Sequence, residues 1–344
     1  MTEPPGAAAR GGAGDTPRAV TIARVAEAAE VSRATVSRVM NGRTSVDPRL
    51  AARVRRAAHE LGYHPSTVAR SLALGRTGVI GMVVPDLANP MFQAVLRGLS
   101  DAAAEEDSRV LVADSHEHVE GESLLALETR RRCDGLVLCA PRMPEEQLRD
   151  LAERLSPMIL VNRFVQDLAV PSVGVDHSAG MSSLVDHLVE LGHRRAAYLA
   201  GPSTSVADRE RRAALKAAED RLEIVELSCG AMFEDGSRAV EEALAAEVTA
   251  ILGYNDLVAF GALGRLHELG IDIPGELSVC GFDDIRFARF AAPPLTTVQV
   301  PKVELGREAW RRLSAALAGA PLGPATRFAP HLQVRGSTGP AQGR

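Results

Sequence analysis

The chain has 344 residues, of which 46% are hydrophobic, 24% charged and only 3% aromatic. That length admits two or three domains with a full core and excludes a disulfide-stapled miniprotein, while the scarcity of aromatic rings leaves packing to Ala, Leu and Val. The net charge of −5 hides an asymmetry: residues 18–76 hold eleven arginines against four acidic residues, a net of +7, whereas residues 77–344 hold 27 basic against 38 acidic side chains, a net of −11. A basic head on an acidic body implies that the head alone meets a polyanion.

Residues 1–17, rich in Gly, Ala and Pro, read as a disordered tail without the apolar segment of an export signal. No stretch approaches the roughly 20 apolar residues needed to span a bilayer. Cys133, Cys139, Cys229 and Cys280 form no C-x-x-C pair and lie among apolar residues, so reduced, buried thiols in a cytoplasmic protein are expected.

Three helices are predicted next. Thr21 precedes Ile22, Val25, Ala26 and Ala29, one buried face at i, i+3, i+4 and i+7, and stands where a cap is expected. In "VSRATVSRVMNG", residues 31–42, Ser32 is placed to cap a second helix. Val36, Val39 and Met40 face inward there, Arg33, Ala34, Ser37 and Arg38 face outward, and Asn41 or Gly42 ends it. The third has Asp47 at its N-cap, Pro48 in its first turn, an apolar face of Leu50, Val54, Ala57, Ala58 and Leu61, and Gly62 past its end. Two short helices with a tight turn, braced by a third, make a helix-turn-helix whose second helix fits the DNA major groove. An arginine fork there can bond O6 and N7 of guanine, and Ala34 can touch a thymine methyl.

Pro65 breaks the chain after this domain, and Ser66 can cap a short segment holding Val68, Ala69, Leu72 and Ala73. So short a segment is too brief to persist as a helix alone. From residue 79 onward apolar runs such as "VIGMVV", "RVLVAD", "GLVLCA", "MILVNR", "SVGVD", "RAAYLAG", "EIVELS", "TAILGY" and "LSVCGFDD" read as buried strands, and amphipathic stretches lie between many of them. That alternation implies parallel sheets with crossover helices, in two doubly wound lobes. Ligands in such sheets sit at the carboxyl ends of strands, which are polar here: Asp86, Asn89, Asp114, Asn162, Arg163, Asp176, Asn255, Asp256, Asp283 and Asp284. For Asn255 and Asp256, a helix-capping role competes with a binding one. In "SHEH", residues 115–118, two histidines in an acidic polar stretch read as a solvated loop in preference to a metal site. There is no dinucleotide-binding glycine motif, no phosphate-loop lysine and no G-x-S-x-G, so no enzyme activity is expected.

These residues resemble the lactose/galactose repressor family of bacterial transcription regulators. The resemblance rests on "VTIARVAEAAEVSRATVSRVMNG", "LGYHPSTVARSLALGRTGVIGMVVPD", "NPMF", "LVELGHRR", "GYNDLVAFGAL", "DIPGELSVCGFDDI", "PPLTTV" and "VRGST", in the family's order over residues 20–338. It implies an all-α helix-turn-helix domain at 18–64, a hinge at 65–77 and an α/β body at 78–338 like periplasmic binding proteins, with a tail at 339–344. The first lobe would take about 78–176 and 301–319, and the second about 177–300 and 320–338. The resemblance makes Arg33, Ala34 and Arg38 base readers and Thr21, Ser32, Thr35, Ser37 and Tyr63 phosphate contacts. Leu72 would be a minor-groove wedge of the hinge. Glu30 stands where the family often has Gly. In the body it implies an effector site between lobes with Phe92, Asn162, Arg211, Asn255 and Asp283, and either Met232 or Phe233 beside them. No metal or cofactor is implied.

The function expected is a homodimeric, sequence-specific regulator, a repressor, binding a near-palindromic operator and switched by a sugar or nucleobase. The dimer interface is expected to use Leu96, Leu99 and Ala103. A solute-binding protein or a sugar- or nucleotide-processing enzyme on the same α/β scaffold is the rival reading.

Overall fold

Helix α1 (Ile22–Ala28), α2 (Arg33–Met40) and α3 (Pro48–Glu60) make up the N-terminal unit, which ends at Thr77. The computed structural model describes residues 20–40, 46–63, 75–321 and 323–342. The first 19 residues, Asn41 and Gly42, and the expected hinge residues Pro65, Ser66, Val68, Ala69, Leu72 and Ala73 lie outside the described residues.

The three helices share one core of Val25, Ala26, Ala29, Val36, Val39, Ala51, Val54, Ala57 and Ala58, with Ile22, Met40, Leu61 and Tyr63 at its margin. Two of the expected caps form. Ser32 Oγ accepts from the Thr35 N–H at 3.1 Å, and the Asp47 carboxylate accepts from Arg49 and Leu50 N–H at 2.8 and 3.2 Å. Thr21 holds the N-cap position, but its hydroxyl makes no capping bond. Its carbonyl instead receives the N–H groups of Arg24 and Val25 at 3.0 and 3.4 Å.

Helices α1 and α3 end alike. Val31 N–H donates to Ala26 C=O and Glu30 N–H to Glu27 C=O, at 2.9 and 3.1 Å. Tyr63 N–H donates to Ala58 C=O and Gly62 N–H to His59 C=O, at 2.8 and 3.1 Å. Both sets are the paired bonds of a Schellman stop, which needs a left-handed residue. Gly62 supplies it after α3 with φ of 64°, and Glu30 after α1 with φ of 50°. The family's glycine at this position thus has a backbone reason. The Glu30 carbonyl also accepts from Arg53 of α3 at 3.2 Å.

The second unit, Gly78–Arg344, contains two sheets. The first lobe has β1 (Val79–Val84), β2 (Arg109–Asp114), β3 (Gly135–Cys139), β4 (Met158–Val161) and β5 (Ser172–Val175), with helices α4 (Pro90–Glu105), α5 (Val119–Arg130) and α6 (Glu145–Leu155). The second has β6 (Arg195–Ala200), β7 (Glu223–Ser228), β8 (Ala250–Gly253), β9 (Ser278–Asp283) and β10 (Thr296–Gln299). Its helices are α7 (His177–Glu190), α8 (Val206–Lys216), α9 (Phe233–Arg238), α10 (Val240–Ala245) and α11 (Asp256–Glu268). Then α12 (Lys302–Leu317) returns to the first lobe, β11 (Thr326–Phe328) joins its sheet and β12 (His331–Gln333) joins the second. The strand orders are β11-β5-β4-β3-β1-β2 and β12-β10-β9-β8-β6-β7.

All nine apolar runs form strands, and two doubly wound lobes result. Two details differ from expectation. β11 pairs in parallel with β5, so residues 326–328 belong with the first lobe and the third crossing follows Phe328; the open edge of β5 offers unpaired backbone groups that β11 satisfies. β12 is antiparallel to β10, because only two residues, Ala329 and Pro330, separate it from β11.

Each lobe contains a helix pair in backbone contact. A Cβ at Gly98 of α4 would lie 2.0 Å from the Val303 carbonyl oxygen of α12, and one at Gly306 would lie 2.1 Å from that of Val95. In the second lobe, a Cβ at Gly236 of α9 would lie 2.0 Å from the Val258 oxygen of α11, and one at Gly261 would lie 1.9 Å from that of Phe233. Leu99 and Ala103 are fully buried by this packing within the chain, which removes them from the expected dimer interface.

Glu30→Gly should stabilise the head by about 1 kcal/mol, the left-handed strain relieved less glycine's added unfolded-state entropy, as measured by chemical denaturation. Gly306→Ala should destabilise the body by roughly 1–3 kcal/mol through overpacking, read as a lower melting temperature of the second unit.

Candidate functional site

In the second unit the strand ends converge on one narrow cavity. Phe92, Asn162, Arg211, Asn255 and Asp283 all line it, so the structure brings together the five residues expected there. They come from both lobes: Phe92 from α4 and Asn162 from the end of β4, Arg211 from α8, Asn255 from the start of α11 and Asp283 from the end of β9.

Helix α8 is firmly seated. Ser205 caps it by accepting from Asp208 N–H at 3.2 Å and hydrogen-bonds the Tyr254 hydroxyl at 3.0 Å. The buried Asp208 carboxylate accepts from Tyr198 Oη at 2.7 Å, Gly201 N–H at 2.9 Å and Arg212 Nε at 2.6 Å. One turn on, the Arg211 guanidinium lies 3.6 Å from the Phe282 ring centre and donates to the Tyr254 carbonyl. It also approaches His177 Nδ1 at 3.3 Å and Asp283 Oδ1 at 3.9 Å. Burial and the adjacent Arg211 push the His177 pKa well below 6.5, so its imidazole is neutral. Burial raises the Asp283 carboxyl to about 6, although Arg211 and Lys302 oppose the shift.

Asn255 serves as both cap and wall. Its Oδ1 accepts from Val258 N–H and its Nδ2 donates to Ala231 C=O, each at 2.9 Å. Asp256 faces away, accepting from Thr297 Oγ1 and Ile285 N–H at 2.5 and 2.7 Å, and stays structural. Asn162 has φ of 52°, and its Oδ1 accepts from Val175 N–H at 3.2 Å, tying β4 to β5.

Residues not singled out from sequence complete the wall: His177, Tyr254, Arg142 and Glu117. Arg142 is held by Glu117 through two bonds at 2.6 and 2.8 Å. Glu117 is therefore no part of a merely solvated loop. Burial opposes the Arg142 charge, but Tyr254 and Glu117 together keep its pKa above the ordinary value. Neither Met232 nor Phe233 lines the cavity; that segment contributes Ala231, while Phe233 points outward and stacks on Phe260 at 6.3 Å. His177 directly follows the strand-end residue Asp176, a positional signal that could have found it.

In the head, α2 buries Val36 and Val39 and exposes Arg33, Ala34 and Arg38. Arg38 Nε lies 3.4 Å from the Ala34 carbonyl. The hydroxyls of Ser32 and Thr35 hydrogen-bond each other at 2.9 Å, Thr21 is exposed, and Ser37 and Tyr63 are half-buried.

Comparison with known proteins agrees with this pairing of a helical head and a two-lobed body. The model for bacterial regulatory proteins of the lacI family matches residues 21–66, and a periplasmic binding protein-like domain matches residues 185–338. The HTH-type transcriptional repressor CytR of Escherichia coli (strain K12) is 32% identical over 336 residues, 93% of this chain and 96% of CytR. The HTH-type transcriptional regulator GalR of the same strain is 35% identical over 332 residues, 92% and 95% of the two chains. A crystal structure of the lac repressor dimer bound to operator and the anti-inducer ONPF superposes with a TM-score of 0.85 and 27% identity, covering 94% of this chain and 100% of that one. No described helix is long and apolar enough to cross a membrane. The chain belongs to the lacI family of bacterial regulatory proteins and is a DNA-binding transcriptional regulator, not an enzyme.

Proposed function

We propose that this regulator is a cytoplasmic repressor that binds a near-palindromic operator as a homodimer and is released or engaged by a small molecule in the interlobe cavity. The observation that carries the DNA side is the division of α2 into a buried face of Val36 and Val39 and an exposed face of Arg33, Ala34 and Arg38. Arg33 and Arg38 read guanine edges and Ala34 lies against a thymine methyl. Thr21, Ser32, Thr35, Ser37 and Tyr63 meet phosphates and set the register. Leu72 enters the minor groove from the hinge. The dimer and the operator of the lac repressor structure support this arrangement, and a two-fold protein axis calls for matching half-sites.

The effector is a sugar or nucleobase-like compound held by Phe92, Asn162, Arg211, Asn255 and Asp283. The ring of Phe92 offers an apolar face and Asp283 accepts from hydroxyl or amine groups. Binding biases the angle between lobes, and a coupling of about 1–3 kcal/mol would change operator affinity some 5- to 150-fold. Selection of bound sequences from random duplexes, repeated with pools of sugars and nucleobases, tests recognition and switching together. Uniform, salt-sensitive binding to all duplexes under every addition would refute it.

Arg38→Ala should relax preference at one operator position by roughly 1–3 kcal/mol, measured by competition between single-base variants. An equal loss on every sequence would remove Arg38 from base reading. For Asp283 the sign follows from its raised pKa, which favours the folded state at low pH. That stabilisation is complete below about pH 4, the unfolded carboxyl's value, and is lost as pH rises through about 6. Unfolding measured for wild type and Asp283→Asn should therefore show the variant gaining about 3 kcal/mol relative to wild type between pH 4 and pH 7, from a two-unit shift. The same variant should respond more weakly to effector while retaining operator affinity.

A further inference from the structure

His177 lines the interlobe cavity, and its Nε2 is buried without a hydrogen-bond partner among the described residues. Buried polar atoms are otherwise paired, so this nitrogen is left for whatever enters the cleft. The side chain is 3% exposed and has little room to swing. It opens α7, whose first turn is fixed by the Asp176 carboxylate accepting from Ala179 N–H at 2.9 Å. Its ring packs against the fully buried Phe282, with centres 5.7 Å apart and planes at 43°. Arg211 lies over the same Phe282 ring at 3.6 Å, so both cavity groups stand on one aromatic platform.

Arg211 decides what each ring nitrogen does. A guanidinium can only donate, so its approach to Nδ1 at 3.3 Å makes that nitrogen the acceptor. Burial and the Arg211 and Arg327 charges keep the ring neutral, and a neutral imidazole that accepts at Nδ1 carries its one proton on Nε2. The alternative tautomer would turn an N–H toward a cation. His177 therefore offers the cleft a fixed donor. The Asp283 carboxylate, 3.9 Å from the same Arg211 nitrogen, stands nearby as an acceptor. A hydroxyl can turn to suit either group and is merely tolerated. A carbonyl oxygen or a bare ring nitrogen matches the donor, whereas an N–H placed there leaves two donors facing each other, both unpaired.

We propose that His177 is a specificity-determining residue of the effector site. Its Nε2–H selects compounds that set a carbonyl oxygen or an unprotonated ring nitrogen against it, beside a donor for Asp283, and it disfavours those that set an N–H there. This rests on the cavity being the effector site and sharpens what that site accepts.

The test reads the imidazole in the full chain with 15N-labelled histidine, the His177 signals being identified by their loss in His177→Gln. Two-bond ring correlations should show the proton on Nε2. The probes are pyridine, a flat ring with a bare nitrogen, and pyrrole, a flat ring with an N–H. The His177 signals should shift with pyridine and stay in place with pyrrole. A proton on Nδ1, equal shifts with both probes, or no shift with either would overturn the proposal.

Three variants then separate donation from support of Arg211, using whichever sugar or nucleobase pool changes operator affinity. His177→Gln can place an amide nitrogen where Nε2 stood and should respond close to wild type. His177→Asn can still accept from Arg211 but is too short to donate into the cleft, and His177→Phe keeps the ring without either nitrogen. Both should need about 10-fold or more effector for the half-maximal change, the usual result of deleting one buried hydrogen-bond partner. Should His177→Phe not fold, the contrast between Gln and Asn decides. Equal responses in all variants would remove His177 while leaving the cavity as the effector site. If pyridine alone moved the His177 signals but no pool changed operator affinity, the donor would stand and the effector reading would fall.

Discussion

Parallel strand direction is the constraint on which the body depends. Eleven of the twelve described strands run parallel to a neighbour, so their carboxyl ends gather on one edge of each sheet. The interior strands β1, β3, β4, β5, β6, β8 and β9 are buried on both faces and are built largely from Val, Leu, Ile and Ala. Polar chemistry is thereby pushed to the edge, where the chain leaves a strand and must turn. Asn162, Asp283 and Asp284 adopt φ of 52°, 111° and 49° at such turns, conformations that side chains other than glycine seldom take and that concentrate at functional sites.

This edge also explains how buried charge is tolerated. Glu122 is driven toward its protonated form by burial, yet Arg142 and Met143 N–H groups hydrogen-bond its carboxylate. The same Arg142 engages Glu117 at the cavity wall. Lys302, at the start of α12, donates to the carbonyls of Asp283 and Asp284 and so fastens the second crossing to the end of β9. Many ionic groups here are joined into networks that span strand ends.

Legibility in the sequence followed apolar density. Seven of the nine strands that appear as apolar runs, such as Met158–Val161 or Ala250–Gly253, lie inside their sheets and are buried almost throughout, while the edge strands β2 and β7 are half-exposed but still carry Val, Leu or Ile at alternate positions. β10, β11 and β12, "TTVQ", "TRF" and "HLQ", are only three or four residues long and rich in polar residues; β10 is buried between its neighbours and β11 and β12 are partly exposed, and only tertiary pairing makes them strands. Because β11 and β12 decide where the chain crosses last, the lobe boundary near residue 320 was misplaced. In the site, Asp283 and Asn162 were legible as polar ends of apolar runs and Arg211 through the family resemblance. Tyr254 was hidden as the tail of an apolar run, Arg142 lies in a loop between strand and helix, and Glu117 looked like solvent-facing charge because its partner lies 25 residues away. Pairings of that kind leave no local pattern.

The chain passes between lobes three times, after Val175, after Gln299 and after Phe328. Two bodies joined by one tether can swivel about any axis, whereas three separate tethers of only a few residues suppress both twisting and sliding. What survives is a jaw-like motion with a single degree of freedom. Since the glycine-mediated helix contacts leave each jaw little internal slack, any ligand seated in the cleft would act on one scalar, the opening angle.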